Sequence, residues 1–207
     1  MRLNRLEKHI ASAAVAAGFA SAASAAIITW NINAAIPATL DGMYIRIDNQ
    51  TSTTGTGGGL AGWDINPYGS TTLSFYASAT APNPATTYVR TQASGGPSSL
   101  ALGTVIGGSS PFANSTTAVV SGTGVGANGW SLNSVNYFGF RFHNNTTNAI
   151  NYGYGIMQVG ASATSRTLLA IVYGDAGESV TVSAIPAPGA LALLGVAGLA
   201  AGRRRRA

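Results

Sequence analysis

The sequence contains no cysteine among its 207 residues. Disulfides, thiol catalysis and metal sites with cysteine ligands are therefore excluded. Any folded domain in this chain must derive its stability from its packed core, and about 160 residues are enough to form one. The length is typical of one domain with additional segments at its ends.

Charge is also scarce, since only 8% of the residues are Asp, Glu, Lys or Arg. The formal net charge is +5, but most basic residues lie near the two ends of the chain. Residues 26–186 contain four arginines against five acidic residues, so the net charge of this central part is −1. It has no basic stripe that would bind nucleic acid, and nucleic acid is not an expected partner.

The central part contains a single histidine, His143. Zinc requires three or more nitrogen, sulfur or oxygen ligands, so no metal site is predicted. A Ser-His-Asp site could use Asp64 or Asp175, but no G-x-S-x-G motif supports it. The simpler interpretation is a histidine at a strand end beside a polar loop. We therefore predict no catalytic residue, no metal and no cofactor.

The most site-like cluster consists of Trp63, Asp64, Asn66 and Tyr68. Its oxygen atoms could hold Ca²⁺, and a sugar ring could stack on its aromatic faces. Asp64 could also serve an enzyme that acts on polysaccharide, although a glycosidase needs a second carboxylate. The alternative with more weight is a core tryptophan beside Asp and Asn residues that form turns. Two further tyrosines are possible sugar platforms, Tyr152 and Tyr154.

Residues 1–25 are typical of a signal peptide, with a basic start followed by an alanine-rich stretch at residues 10–20. Ala23, Ser24 and Ala25 form the best A-x-A site, which predicts cleavage before Ala26 by signal peptidase. The alternative is an alanine-rich amphipathic helix in a cytoplasmic protein.

Apolar and polar residues alternate with a period of two between residues 27 and 184, and no segment there has a helical period. This pattern predicts an all-β domain at residues 26–184, folded as an antiparallel β-sandwich or jelly roll. Phe138, Phe140 and Phe142 should face the same side of their strand. A flexible loop is predicted at residues 51–59 and a turn at residues 67–69. Strands are predicted at residues 27–32, 43–48, 63–66, 72–76, 87–91, 100–106, 118–120, 137–142, 150–160, 167–173 and 178–183.

The C-terminal segment, residues 185–207, has three parts in a fixed order. Pro186, Ala187 and Pro188 should end the preceding strand. An uncharged stretch at residues 190–201, rich in Ala, Leu, Gly and Val, predicts a short apolar helix. Four arginines follow at the end, and such a cluster indicates the end that stays in the cytoplasm: Arg203, Arg204, Arg205 and Arg206.

This segment resembles the PEP-CTERM sorting signal of exported bacterial proteins, in which a Pro-Glu-Pro motif precedes an apolar helix and a basic terminus. Ala187 replaces the usual Glu. The resemblance implies processing by an exosortase-like membrane protease, transient insertion in the inner membrane, and a final location at the cell surface or in the exopolysaccharide matrix. It implies nothing about activity.

Three other sorting routes fit the segment less well. A sortase signal would need an L-P-x-T-G-like motif, which is missing, and a GPI signal would not end in arginines. A permanent anchor would usually be longer, because residues 185–202 as a helix span roughly 27 Å of a hydrocarbon layer of about 30 Å. The sequence therefore predicts a non-enzymatic surface or matrix protein, with a carbohydrate-binding module as the alternative.

Overall fold

The computed structural model describes residues 26–184, except 56–58, 79–85, 93–94 and 125. These residues contain β-strands and no helix, and the paired strands are antiparallel, which confirms the all-β prediction. The strands are β1 (Ile27–Trp30), β2 (Ala34–Ala35), β3 (Tyr44–Arg46), β4 (Thr51–Thr53), β5 (Ile65–Tyr68), β6 (Thr72–Ala77), β7 (Thr87–Val89), β8 (Val105–Ile106), β9 (Phe112–Ala113), β10 (Val120–Ser121), β11 (Ser134–Asn144), β12 (Ala149–Val159), β13 (Arg166–Gly174) and β14 (Val180–Thr181).

The main sheet has seven strands, with β1, β13, β12, β11, β7 and β9 in that order and β2 paired to β13. Its centre is the long meander of β11, β12 and β13, which confirms the strands predicted there. A polar turn joins β11 to β12, and the Asn144 side chain accepts hydrogen bonds from the amides of Thr146 and Thr147. Such side-chain caps are typical of Asn in tight turns.

The second sheet has five strands in the order β10, β6, β5, β3 and β4. Its inner face packs on the main sheet, and together they form a β-sandwich with an apolar core. Phe138, Phe140 and Phe142 all point into this core and are fully buried, as their spacing predicts. The Phe138 ring contacts Phe75 of the second sheet at a centroid distance of 4.8 Å.

A two-stranded ribbon, β8 and β14, covers part of the other face of the main sheet. Ile106 and Val180 of the ribbon are buried with Tyr154, Ile156 and Val172 of β12 and β13. The central strands are therefore covered on both faces. This explains why β12 and β13 contain apolar residues at successive positions as well as alternating ones.

Several local predictions were wrong. The strands expected at residues 100–106 and 63–66 begin only at Val105 and Ile65. Residues 51–53, expected to be part of a flexible loop, form β4 because Thr51 and Thr53 pair with Arg46 and Tyr44 of β3. The turn expected at residues 67–69 begins later, since Pro67 and Tyr68 belong to β5. Pro67 pairs with Phe75 of β6, and its carbonyl accepts from the Met43 amide at 3.1 Å. A proline is tolerated here because the β3–β5 pairing is limited to Ile65, so β3 does not require an N–H at position 67.

Arg166, the first residue of β13, connects several backbone segments at one end of the sandwich. Its guanidinium donates hydrogen bonds to five backbone carbonyls, while its side chain is almost completely buried. Burial lowers the pKa of Arg166 to about 10. Within the described part of the chain no carboxylate forms an ion pair with it, and backbone carbonyl dipoles stabilise the charge. The acceptors belong to Pro37, Tyr68, Gly69, Thr72 and Ala163.

Candidate functional site

Three aromatic rings lie side by side on the outer face of the second sheet. Trp63 contacts Tyr44 at a centroid distance of 5.3 Å and an interplanar angle of 70°. On its other side it contacts Tyr76 at 5.6 Å and 39°. Trp63 and Tyr44 are half-buried, while Tyr76 is 47% exposed. We call Tyr44, Trp63 and Tyr76 the aromatic row.

The strand pattern explains why these rings face outward. Ile45 and Phe75 are buried in the core, so their neighbours Tyr44 in β3 and Tyr76 in β6 point to the opposite face. Trp63 comes from the turn before β5, where its amide donates to the Leu60 carbonyl at 3.2 Å. The row thus joins two strands and a turn that are far apart in sequence.

An ion pair borders the aromatic row. Arg46 Nε donates to Asp48 Oδ1 at 2.7 Å, and a second guanidinium nitrogen donates to Asp48 Oδ2 at 3.0 Å. The Arg46 guanidinium also approaches Gly62, next to Trp63, since a Cβ at Gly62 would be 3.5 Å from Arg46 Cζ. The polar edge of the row therefore carries one positive and one negative charge, and its net charge is zero.

The hydrogen bonds of this pair keep both groups ionised. The hydrogen bond to Asp48 is the main reason why the pKa of Arg46 is raised. Burial acts to raise the pKa of Asp48, but the Arg46 hydrogen bond and charge and the Asn145 amide bring it below its usual value. The Asn145 amide donates to Asp48 Oδ2 at 3.2 Å, which links the ion pair to the turn after β11.

Asp64, although adjacent to Trp63, points into the protein. It is fully buried, and its Oδ2 accepts a hydrogen bond of 2.7 Å from the Ile47 amide. The pKa of Asp64 is raised to about 7, mainly by burial and also by the charge of Asp48, although the Ile47 amide, Arg46 and Thr86 act to lower it. The Thr86 hydroxyl acts on this carboxyl group, yet neither Asp64 Oδ1 nor Thr86 Oγ1 has a partner at hydrogen-bonding geometry.

The other two residues of the predicted cluster take part in hydrogen bonds that hold the fold together. The side-chain Nδ2 of Asn66 donates to the backbone carbonyls of Asp41 and Met43 at 2.7 and 2.9 Å. Tyr68 is half-buried at the end of β5, and its carbonyl accepts a hydrogen bond from Arg166. Of the four residues, Trp63 is the one whose ring belongs to the surface row.

Sequence reasoning missed Tyr44 and Tyr76 as partners of Trp63. The period-two pattern already indicated that both tyrosines face away from the core. It did not indicate that β3, β5 and β6 are neighbours, because strand pairing depends on residues distant in the chain. The register that brings the rings together is therefore visible only in the folded protein.

The remaining candidates occupy different parts of the fold. The two ring nitrogens of His143 contact the side-chain oxygens of Asn145 and Asn148 at 3.3 and 3.1 Å, within the polar turn after β11. Tyr154 is buried, with its hydroxyl 2.9 Å from the Ser183 hydroxyl. Tyr152 is half-buried and stacks on Phe112 at a centroid distance of 5.8 Å.

No group of three or more His, Cys, Asp or Glu side chains in the described ranges could hold a metal ion. Nor does that part of the chain include a helix long and apolar enough to cross a bilayer. Ala23, Ala25 and the sorting motif at Pro186, Ala187, Pro188 and residues 203–206 lie outside the described residues.

Comparison of the chain with models of known protein families, with curated proteins and with solved structures finds no match.

Proposed function

We propose that this chain is an exported, non-enzymatic protein of the cell surface or exopolysaccharide matrix, delivered by its C-terminal PEP-CTERM-like segment. The observation that carries the proposal is the order of the tail: a proline pair, an uncharged apolar stretch and four terminal arginines. A signal peptide at residues 1–25 accompanies it. Each end forms an apolar helix that enters the inner membrane transiently, and signal peptidase and an exosortase-like protease remove them.

The body suits a protein whose role is to occupy a hydrated matrix. Its outward strand positions carry exposed, uncharged polar residues, such as Ser121 and Thr181. Between its ends the chain is almost neutral. A neutral surface of hydroxyl groups hydrates well without binding counter-charged polymers non-specifically.

The proposed processing is tested by measuring the intact mass of the protein purified from hosts with and without an exosortase. The mature protein should lose Arg203–Arg206 only in the competent host. Replacing Pro186 and Pro188 together by alanine should prevent the loss, whereas Ala187→Glu, which restores the usual motif, should permit it. Retention of the arginines in the competent host would overturn the proposal.

The aromatic row favours a second function, carbohydrate binding at the cell surface. The C–H groups of a pyranose ring form an apolar face that packs on an aromatic ring, while its hydroxyls bind polar groups at the ring's edge. Trp63 and Tyr76 supply partly exposed rings, and the Arg46–Asp48 pair supplies polar groups beside them. Because that pair is neutral overall, an uncharged polysaccharide fits better than an acidic one.

Affinity electrophoresis of the full chain in gels that contain neutral polysaccharides tests this second function. A retarding polysaccharide should be found, and Trp63→Ala should abolish the retardation. Tyr152→Ala is the matched control, since Tyr152 is also half-buried and stacks on another ring, but in the main sheet. Retardation that survives Trp63→Ala and is lost with Tyr152→Ala would refute the assignment to the aromatic row.

A further inference from the structure

Exposed apolar side chains gather where the two ends of the body lie. Among the described residues, Ile27 of β1, Leu102 and Val105 are 53%, 57% and 60% exposed. Val105 pairs with Thr181 across the β8–β14 ribbon, and the amide of Gly103, next to Leu102, donates to the Val182 carbonyl at 2.8 Å. These contacts place Leu102 and Val105 beside the last residues of the described body.

Ile27 lies on the same side of the molecule. A groove of about 410 Å³ separates β1 from β14, and it is lined by Ile27 and Thr29 from one end of the body and by Ser183 and Ala184 from the other. In β8 and β14, Ile106 and Val180 are buried against the main sheet, so Val105 points outward. We call Ile27, Leu102 and Val105 the ribbon surface.

The predicted membrane segments are attached close to this surface. Residues 21–25 separate the apolar stretch at residues 10–20 from Ala26, and residues 185–189 separate Ala184 from the apolar stretch at residues 190–201. Five extended residues span at most about 17 Å. While either segment is in the bilayer, the body therefore cannot lie far from the headgroups.

Few ionisable side chains belong to the segments that form this side of the body. Residues 27–30, 99–110 and 179–184 contain no ionisable side chain. Asp175 and Glu178, in the turn before β14, are the nearest acidic residues in sequence, and Asp175 accepts a hydrogen bond from the Ala26 amide. The apolar side chains of the ribbon surface suit the boundary between headgroups and acyl chains, where the acidic pair at its margin can stay in water, and these segments hold no basic cluster that would favour anionic lipid.

We infer that the ribbon surface rests on the lipid bilayer as long as a terminal apolar segment remains attached. This inference depends on the proposed export and sorting. The exposed apolar area is small, so binding requires the high effective concentration that the tether provides. Removal of the segments ends the contact, and this allows the body to leave the membrane for the cell surface.

The absence of cysteine permits a direct test with single-cysteine variants of the full chain. Leu102→Cys and Val105→Cys, labelled with an environment-sensitive fluorophore, report the ribbon surface. Leu40→Cys is the control, because Leu40 is 77% exposed and follows Thr39, whose carbonyl accepts from Gly69 at the Arg166 end of the sandwich. Ile27 of the ribbon surface pairs with Gly174, at the other end of β13 from Arg166. The control position therefore lies at the opposite end of the sandwich from Ile27.

Each labelled chain is reconstituted in phosphatidylcholine vesicles, with flotation as a separate measure of insertion. Nitroxide-bearing lipids should quench the label at positions 102 and 105 at least threefold more strongly than at position 40. Chains that float but show no quenching at 102 and 105, or equal quenching at 40, would overturn this inference alone. Chains that do not float would overturn the membrane step of the proposed function together with it.

Discussion

Gly155 of β12 lies directly opposite Phe138 of β11, and the Phe138 ring occupies the space that a side chain at position 155 would need. Gly153 has the same relationship to Phe140, whose ring is 2.8 Å from an ideal Cβ at position 153. The alternating glycines of β12 thus accommodate the phenylalanines that β11 sends into the core. Glycine in a strand interior often marks such a close approach.

Gly155→Ala should lower the free energy of unfolding by about 1–3 kcal/mol, because the added methyl group forces the Phe138 ring to move in a packed core. Chemical denaturation of the purified protein measures the change. Gly59→Ala is the control, since no atom lies within 4 Å of a Cβ built there. Equal unfolding midpoints for the two variants would show that the core at Phe138 is not closely packed.

Asp64 should make stability depend on pH. Its pKa is about 7 in the folded protein and 3.8 in the unfolded chain, so the folded state binds more protons between these values. The free energy of unfolding should therefore fall as the pH rises from about 4 to about 7, by up to about 4 kcal/mol. Thermal or denaturant unfolding across this range measures the slope.

Asp64→Asn should remove this slope, because its amide oxygen can still accept the Ile47 hydrogen bond without becoming charged. Above pH 7 the variant should be more stable than the wild-type protein. Asp48 does not confuse the comparison, since its lowered pKa affects stability only below about pH 4, and with the opposite sign. A wild-type protein whose stability is flat between pH 4 and 7 would refute the role of Asp64.

Arg166→Met should destabilise the protein by at least about 3 kcal/mol, because it leaves several buried carbonyl groups without a donor. Gly69 and Pro37 lose hydrogen bonds of 2.6 and 2.7 Å. Denaturant unfolding measures the loss. Arg166→Lys should have an intermediate effect, since an ammonium keeps the charge but cannot reach all five acceptors. An Arg166→Met variant with an unchanged free energy of unfolding would contradict this account.

Tyr76→Ala should weaken binding of a retarding polysaccharide about five- to tenfold without a comparable loss of stability. Its ring is partly exposed and contacts Trp63, whereas the hydrogen bond from Tyr88 goes to the Tyr76 backbone carbonyl and is kept. Affinity electrophoresis and thermal unfolding of the same preparation separate the two effects. Unchanged affinity would place the sugar away from the aromatic row.

The fold class and the buried face of β11 could be predicted from the local sequence pattern alone. The period of two showed an all-β body and the buried face of Phe138, Phe140 and Phe142, because alternation determines which side of a strand a residue faces. The absence of cysteine and the neutral central part excluded disulfides and a nucleic-acid surface. Composition and the order of the segments likewise predict sorting signals at both ends, and these remain predictions.

Other features depend on contacts between distant residues. Trp63 and Asp64 are adjacent in sequence, yet one lies beside Tyr44 and Tyr76 on the surface and the other is buried against Ile47. Thr51–Thr53 became a strand only because β3 offered a free edge. Local sequence sets the face of each strand, but pairing and register are decided by which strands bury the most apolar surface together. The pairing and register of β3, β5 and β6 brought the aromatic row together, and they depend on contacts throughout the chain.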